Sequence, residues 1–378
     1  MVKHSFSKIL WAVGWGVISI LTLAQTGCEK KENLNPQDRT YYMGFTPLPY
    51  ALTPAAIDYT YTQLEQSADI VCHHFDDGVP WVEALKDTAF HPGLQQDWAY
   101  RKSRTLPSQK VFLAFTPIRF DRVALASYRA ATPNMDMPSP WNTYSFNHPD
   151  VKKAYLTYCK RGIDFFNPHY FLMGIEVNLL LKLNPSLWQD YLELHTYVYQ
   201  QLKKAYPDLP VAVSVSGIDL LEGYTDADHA QQTEGLTQIL QQTDFLGFSL
   251  YSYQTRYLTG DLPTDMFSQL FSLTSKPIAI TETGYPAQRF SVFTNSITFE
   301  GTEDKQDRYI SQLLTASNHE NMLFVINFVL RDYDQLWQAW GSKDDITILW
   351  RDTGLIDENA SPRKGFQTWK SYLKIPKK

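Results

Sequence analysis

"IAITETGYPA", residues 278–287, ends a short apolar run on a glutamate, Glu282, and then turns through Gly284, Tyr285 and Pro286. Ile278, Ala279 and Ile280 have the character of a buried strand, and the Gly and Pro that follow punctuate its end. A carboxylate buried without a partner is costly, so Glu282 has either a partner or a chemical task. The same design recurs along the chain: a strand-length run, β-branched or aromatic, bounded by polar residues or Pro and Gly. The other runs are "YYMGFT" (41–46), "ADIVCHHF" (68–75), "KVFLAFT" (110–116), "YFLMGIEV" (170–177), "VAVSVS" (211–216), "DFLGFSLY" (244–251) and "MLFVINFV" (322–329).

Helical stretches separate these runs. Residues 53–66 open on a Thr cap with Pro at the first helical position. Residues 148–166, 186–206, 229–242, 264–273, 303–318 and 361–373 carry helical spacing. Residues 83–104 look irregular, and a long loop there is expected to replace part of the second helix. A second long loop runs from Pro117 to about Asn147. Eight strands alternating with helices predict a single α/β domain, a (β/α)8 TIM barrel, at a length that suits one.

Sites in such barrels lie at the C-terminal ends of the strands. There the sequence places His73, His74, Asp76 and Asp77 on the second strand, Glu176 and Asn178 on the fourth, and Asp219 on the fifth. Tyr251 and Tyr253 end the sixth, Glu282 the seventh and Asn327 the eighth. Residues two apart on a strand share a face, so Leu172, Gly174 and Glu176, and likewise Ile278, Ile280 and Glu282, are predicted to form two barrel-facing rows. Strands four and seven face each other across the mouth. Carboxyl groups brought there to about 5 Å suit a retaining glycosidase, one acting as nucleophile and the other as acid and then base.

With these motifs in hand, the sequence resembles the clan of (β/α)8 glycoside hydrolases that carry catalytic glutamates on strands four and seven. "GIEV" and "ITETGYP" look most like the corresponding motifs of family 53, the endo-β-1,4-galactanases. "LGFSLYSY" (246–253) and "GTEDKQDRYI" (301–310) resemble further segments of that family, while the E-T-G-aromatic-P turn is also similar to that of family 17 β-1,3-glucanases. The resemblance implies that Glu176 is the acid/base, Glu282 the nucleophile, and Tyr251 the tyrosine that hydrogen-bonds the nucleophile. It also implies an Asn immediately before the acid/base, where this chain has Ile175. Asn178 and the strand-two histidines are the nearest polar substitutes.

Several other residues are candidates for sugar contact. His73, His74, Asp76 and Asp77 form the most polar strand end, although neighbours on a strand point to opposite faces. Trp81, Trp141, Trp337 and Trp340 fall in loops on the catalytic side, where aromatic faces stack on pyranose rings, and Asn327 completes the substrate-binding set. Arg331 and Asp332, in the loop after the eighth strand, are weighed against solvated charge. Trp188 and Trp369 sit at helical spacing and are expected in the core. Two rivals remain: a non-catalytic glycan-binding barrel, in which Arg119 or Arg331 pairs with the glutamates, and a metal-dependent hydrolase built on His73 and His74. The second lacks the His-x-His spacing and the later histidines such a centre uses, so neither metal nor cofactor is expected. No Gly-rich phosphate loop and no Gly-x-Ser-x-Gly elbow is present, which argues against kinase, dehydrogenase and serine hydrolase chemistry.

The 378 residues begin with a segment to be set aside before fold reasoning. Lys3 and Lys8 precede an apolar stretch, residues 9–24, and "QTGC" (25–28) resembles a lipobox, with Gln25 where a Leu is usual. The expected division is a signal peptide over 1–27, a lipidated Cys28 with a polar tether over 28–39, and the barrel over 40–378. This implies an exported bacterial lipoprotein that touches the membrane only through its N-terminal lipid. Removing Lys3 and Lys8 from 34 basic residues leaves 32 against 40 acidic, a net charge of −8, and no basic cluster suits nucleic acid. Cys72 and Cys159 lie in apolar runs and are expected as buried thiols. The expected partner is a poly- or oligosaccharide, and the expected state a monomer.

Overall fold

Eight parallel strands close on one another in the order Tyr42–Phe45, Met322–Asn327, Ile278–Thr283, Leu246–Leu250, Val211–Ser216, Tyr170–Leu172, Lys110–Phe115 and Ile70–Phe75. The computed structural model describes residues 38–257, 261–292, 296–318, 321–342 and 346–378. Cys28 and the leader lie outside the described residues, and among those described no helix is long and apolar enough to cross a membrane.

In chain order the elements are β1 (Tyr42–Phe45), α1 (Pro54–Ser67), β2 (Ile70–Phe75), α2 (Trp81–Lys86), α3 (Pro92–Arg104) and β3 (Lys110–Phe115). There follow α4 (Pro149–Phe166), β4 (Tyr170–Leu172), α5 (Asn178–Leu183), α6 (Trp188–Ala205), β5 (Val211–Ser216), α7 (His229–Leu240) and β6 (Leu246–Leu250). The last part holds α8 (Met266–Phe271), β7 (Ile278–Thr283), a hairpin of β8 (Arg289–Val292) and β9 (Ile297–Glu300), α9 (Glu303–Ala316), β10 (Met322–Asn327), α10 (Asp334–Ala339) and α11 (Lys364–Leu373).

The eight apolar runs became the eight barrel strands because a parallel barrel strand is buried on both faces. The region expected to be irregular is instead a 13-residue helix, α3. The His91 side chain accepts from the Gly93 N–H, Pro92 starts the first turn, and Leu94 and Trp98 are buried against the core. Gly44 is dictated by the closeness of β1 and β2, since a Cβ there would lie 1.8 Å from the Ile70 carbonyl oxygen.

Two apolar layers result. The outer layer joins strands to helices and includes Trp98, Trp188 and Trp369, the last two core residues as expected. The inner layer fills the lower barrel with large rings: Phe112 and Phe324 lie 4.7 Å apart, Tyr170 and Phe324 5.0 Å, and Phe245 packs edge-on to Tyr170. Cys72 and Cys159 are buried and free. The base is fastened where the described chain begins and ends. The Arg39 N–H donates to the Pro376 carbonyl (2.8 Å), the Lys378 N–H donates to the Arg39 carbonyl (3.0 Å), and Arg39 pairs with Asp69 at 2.6 Å.

Two buried histidines, His73 and His195, and the half-buried His74 make the fold acid-sensitive. Burial holds His73 down to about 3, aided by Arg101, and His74 to about 4, aided by Arg122; burial likewise holds His195 at about 4. Each stays neutral in the fold but takes a proton near pH 6.5 once unfolded. The unfolded chain therefore binds more protons, and stability falls as pH drops from about 6.5 toward 4. For His195, remote from the barrel mouth, the loss between pH 7 and 5 is on the order of 2 kcal/mol. Urea midpoints of wild type and His195→Gln at the two pH values measure it: the wild type should lose more stability, and parallel changes would refute the assignment.

Candidate active site

The two glutamates do reach the barrel mouth, but not by strand alternation. On β7 it is Ala279 that joins the inner layer, whereas Ile278 and Ile280 face the helices. The register against β6 runs Phe248↔Ile280 and then Ser249↔Glu282, so one extra residue is inserted on β7. This bulge re-aims Glu282 into the mouth. β4 stops at Leu172, the one member of its predicted row that lines the interior. Gly174 points outward, where a Cβ would come within 2.7 Å of Val177 and 2.9 Å of the Tyr191 hydroxyl. Ile175 turns into the inner layer, and Glu176 sits in the left-handed region at φ 48°. Such a backbone costs on the order of 1–3 kcal/mol and persists only where its surroundings fix it. Here the Glu176 N–H donates to Ser214 Oγ at 3.0 Å.

The two carboxyl groups have different partners. Glu282 Oε1 accepts a hydrogen bond from the Tyr251 hydroxyl, and its Oε2 lies 3.7 Å from His74 Nδ1. Burial and then the neighbouring Glu176 charge raise Glu282 above the usual carboxyl range. Glu176 Oε1 accepts from Ser249 Oγ at 2.6 Å, and Oε2 accepts from Arg122 Nε and Nη2 at 3.2 and 3.0 Å. Arg122 Nη2 also reaches Asp76 Oδ2 at 2.8 Å. Burial raises Asp76 as well, against the pull of Arg122. Beside Glu282 is a small cleft lined by His74, Phe112, Leu172, Ile175, Ser214 and Thr281. Trp350 meets the Tyr251 ring edge-on at 5.7 Å.

Several residues expected to bind substrate lie elsewhere. His73 is fully buried on the outer face of β2, its ring beside Phe166 and Nε2 bonded to Thr105. Only His74 of that pair faces the mouth, so the two cannot share a metal. Asp77 pairs with Arg129 at 2.9 Å. Asn178 is wholly buried, bridging the Ser216 backbone and Gln232, and so cannot replace the missing Asn. Asn327 is buried too and donates to the Val329 carbonyl. Trp81 and Trp141 stack on each other in the core at 5.6 Å, and Trp81 Nε1 donates to the Ala126 carbonyl. Asp219 is held by Lys182, Ser216 and Thr225, and the Tyr253 hydroxyl donates to Leu349.

The loop after β10 is mixed. Trp337 is half-buried under the Arg351 guanidinium at 4.9 Å, while Trp340 is 46% exposed. Arg331 lies 3.7 Å over the Tyr50 ring, and Asp332 is buried against Arg363. Neither Arg119 nor Arg331 pairs with the glutamates. Among the described residues, Asp332, Asp334 and Asp352 converge closely enough to hold a cation, but Arg363 and Arg351 already occupy Asp332 and Asp352. Sequence reasoning missed Arg122, Ser249 and Trp350. Ser249, two residues before Tyr251 on the strand-six motif, was the most readable of the three.

The sequence matches no protein-family model and no curated protein. Solved structures do match, and they share the (β/α)8 barrel; several are glycoside hydrolases. A GH5_18 glutamate-to-alanine variant from Bifidobacterium longum subsp. longum, in complex with Manβ1-4GlcNAc, aligns at a TM-score of 0.62 with 14% identity, over 89% of this chain and 80% of that one. GH5_18 from Streptomyces cattleya, in complex with GlcNAc, gives 0.60 and 11% over the same shares. Native xylanase 10B from Thermotoga maritima gives 0.60 and 13%, over 89% of this chain and 95% of its own. At these identities the likeness is one of fold.

Proposed function

We propose that this protein is a glycoside hydrolase that cleaves a β-linked glycan, galactan- or glucan-like, with retention of configuration. The observation that carries the reading is the convergence of Glu176 and Glu282 at the C-terminal mouth of the barrel, each held by a hydroxyl donor from the β6 segment, Ser249 or Tyr251. In the cycle Glu282 attacks the anomeric carbon as Glu176 protonates the departing oxygen. Water then displaces Glu282, giving its proton to Glu176. Tyr251 donates to the Glu282 carboxylate and favours its ionised form. The exposed faces of Trp340 and of Phe120, which is 47% exposed, offer platforms for further sugar rings. Residues 1–27 fit a signal peptide, Cys28 a lipid attachment site and residues 28–39 a tether, so the barrel (40–378) would act from an envelope lipid anchor.

A second reading, a glycan-binding barrel without turnover, is favoured by the Arg122 grip on Glu176. One experiment separates them. The purified protein is incubated with β-1,4-galactan, β-1,3- and β-1,4-glucans, xylan, Manβ1-4GlcNAc and aryl β-glycosides, and fresh products are followed by proton NMR. β-Anomeric products at first appearance support retaining hydrolysis. Binding without cleavage supports the second reading, and α-anomers overturn the retaining mechanism.

A further inference from the structure

We propose that Arg122 is a positioning residue that decides which glutamate carries the site's proton, keeping Glu176 as the carboxylate and leaving the proton on Glu282 in the substrate-free protein. The inference builds on the reading of Glu176 and Glu282 as the working pair. Its basis is a count of charges in a buried space. Asp76, Glu176 and Glu282 together carry three potential negative charges, and among the described residues Arg122 is the one cation in contact with them. His74 is neutral, and the Cys72 thiol facing Glu282 from below stays protonated because burial raises it. Three ionised carboxylates would leave two charges uncompensated in a half-buried site, which is unfavourable. One proton relieves much of that.

Its place follows from the donors. Glu176 accepts two N–H bonds from Arg122 and one O–H bond from Ser249, and charge-assisted donors of this kind suit a carboxylate acceptor. Asp76 shares the same guanidinium. Glu282 has the Tyr251 hydroxyl and an uncharged imidazole, and no cation among the described residues touches it. Burial and the Glu176 charge both push Glu282 toward the protonated form.

The Arg122 backbone is built to hold this contact. Arg122 and Glu176 both adopt positive φ, 61° and 48°. The turn that carries Arg122 is closed by the Arg119 N–H to the Ala124 carbonyl at 2.9 Å and tied to α5 by Asn184 Nδ2 to the Val123 carbonyl at 2.9 Å. Two strained residues that meet side chain to side chain mark a contact the surroundings enforce.

The resting order is the reverse of the working one. A nucleophilic Glu282 must be ionised, and an acid Glu176 must carry the proton. Before chemistry, then, Arg122 releases Glu176, and the proton passes from a Glu282 carboxyl oxygen to a Glu176 carboxyl oxygen. A sugar seated between the glutamates displaces Arg122.

Infrared difference spectra of the substrate-free protein at neutral pH test this without needing turnover, so an inactive protein would still give an answer. Wild type minus Glu282→Gln should show the C=O stretch of a protonated carboxyl, and wild type minus Glu176→Gln only carboxylate bands. Arg122→Gln should gain a second protonated carboxyl, absent from the Arg122→Gln/Glu176→Gln double variant, whereas Arg122→Lys should keep the wild-type pattern. A Glu282 carboxylate in wild type, or a spectrum unchanged by Arg122→Gln, would overturn the proposal. If Arg122→Gln does not fold, the wild-type and Glu176→Gln pair decides, because a protonated band lost there places the proton on Glu176.

Discussion

Glu282→Gln and Glu176→Gln should each lower kcat/KM on a natural glycan by at least about 10³-fold. Glutamine keeps the size of the side chain but can neither form the glycosyl ester nor exchange a proton. The two losses should differ in kind. In the proposed roles Glu282 is the nucleophile, so Glu282→Gln should be inactive on every substrate. Glu176→Gln removes the acid, and an aryl glycoside with a good leaving group should recover much of its first step. With Glu176→Ala, added azide should give a β-glycosyl azide, because it attacks the covalent intermediate from the vacated side. With Glu282→Gly it should give the α-azide by direct displacement. Exchanged stereochemistry would reverse the roles, and full activity in both variants would end the glycosidase reading. Correct folding of the glutamine variants has its own readout. A carboxyl raised by burial makes the fold bind its proton more tightly than the unfolded chain does, so that stability is lost as pH rises from the normal carboxyl range toward the raised value. Glu282→Gln should remove this decline.

The largest stability loss is expected at Arg363. Its guanidinium donates to both Asp332 oxygens, at 3.0 and 2.6 Å, and to the Gly354 carbonyl at 2.8 Å, all in the interior. Asp332 Oδ1 also accepts the Gly354 N–H at 2.8 Å. Removing one partner of a buried pair leaves the other charge uncompensated, and Arg363→Met should cost about 3–5 kcal/mol in urea unfolding. Because burial already drives Asp332 toward its neutral form, part of that cost should be recovered at low pH. The double variant Arg363→Met/Asp332→Leu should be more stable than Arg363→Met alone, since an apolar pair of similar volume avoids the stranded charge. A single variant as stable as wild type would mean that the pair contributes nothing.

The barrel was readable because its strands are buried on both faces and so appear as unbroken apolar runs between helical stretches. That same property hid the orientation of the glutamates. In a run such as "IAITE" both faces are apolar, so alternation cannot tell the inward residue Ala279 from the outward Ile278 and Ile280. The inserted residue on β7 and the left-handed Glu176 have no local signature, yet they carry both carboxyl groups to the mouth. Arg122 was hidden for a different reason: its partners, Asp76 and Glu176, lie 46 and 54 residues away and meet it only in the closed barrel. The stacking of Trp81 on Trp141 and the burial of Asn178 have the same origin, because residue type reports a capacity for sugar contact and only packing reveals whether a core element has claimed it.

The fastening of Arg39 to Pro376 and Lys378 puts both ends of the described chain at the floor of the barrel, opposite the glutamates. A bead, sensor chip or fused protein joined at either end would therefore sit behind the molecule and leave the mouth open. The same proximity makes the chain suited to circular permutation: the two ends need only a short linker, and new ones can be opened at the exposed turn between α2 and α3 without cutting a barrel strand.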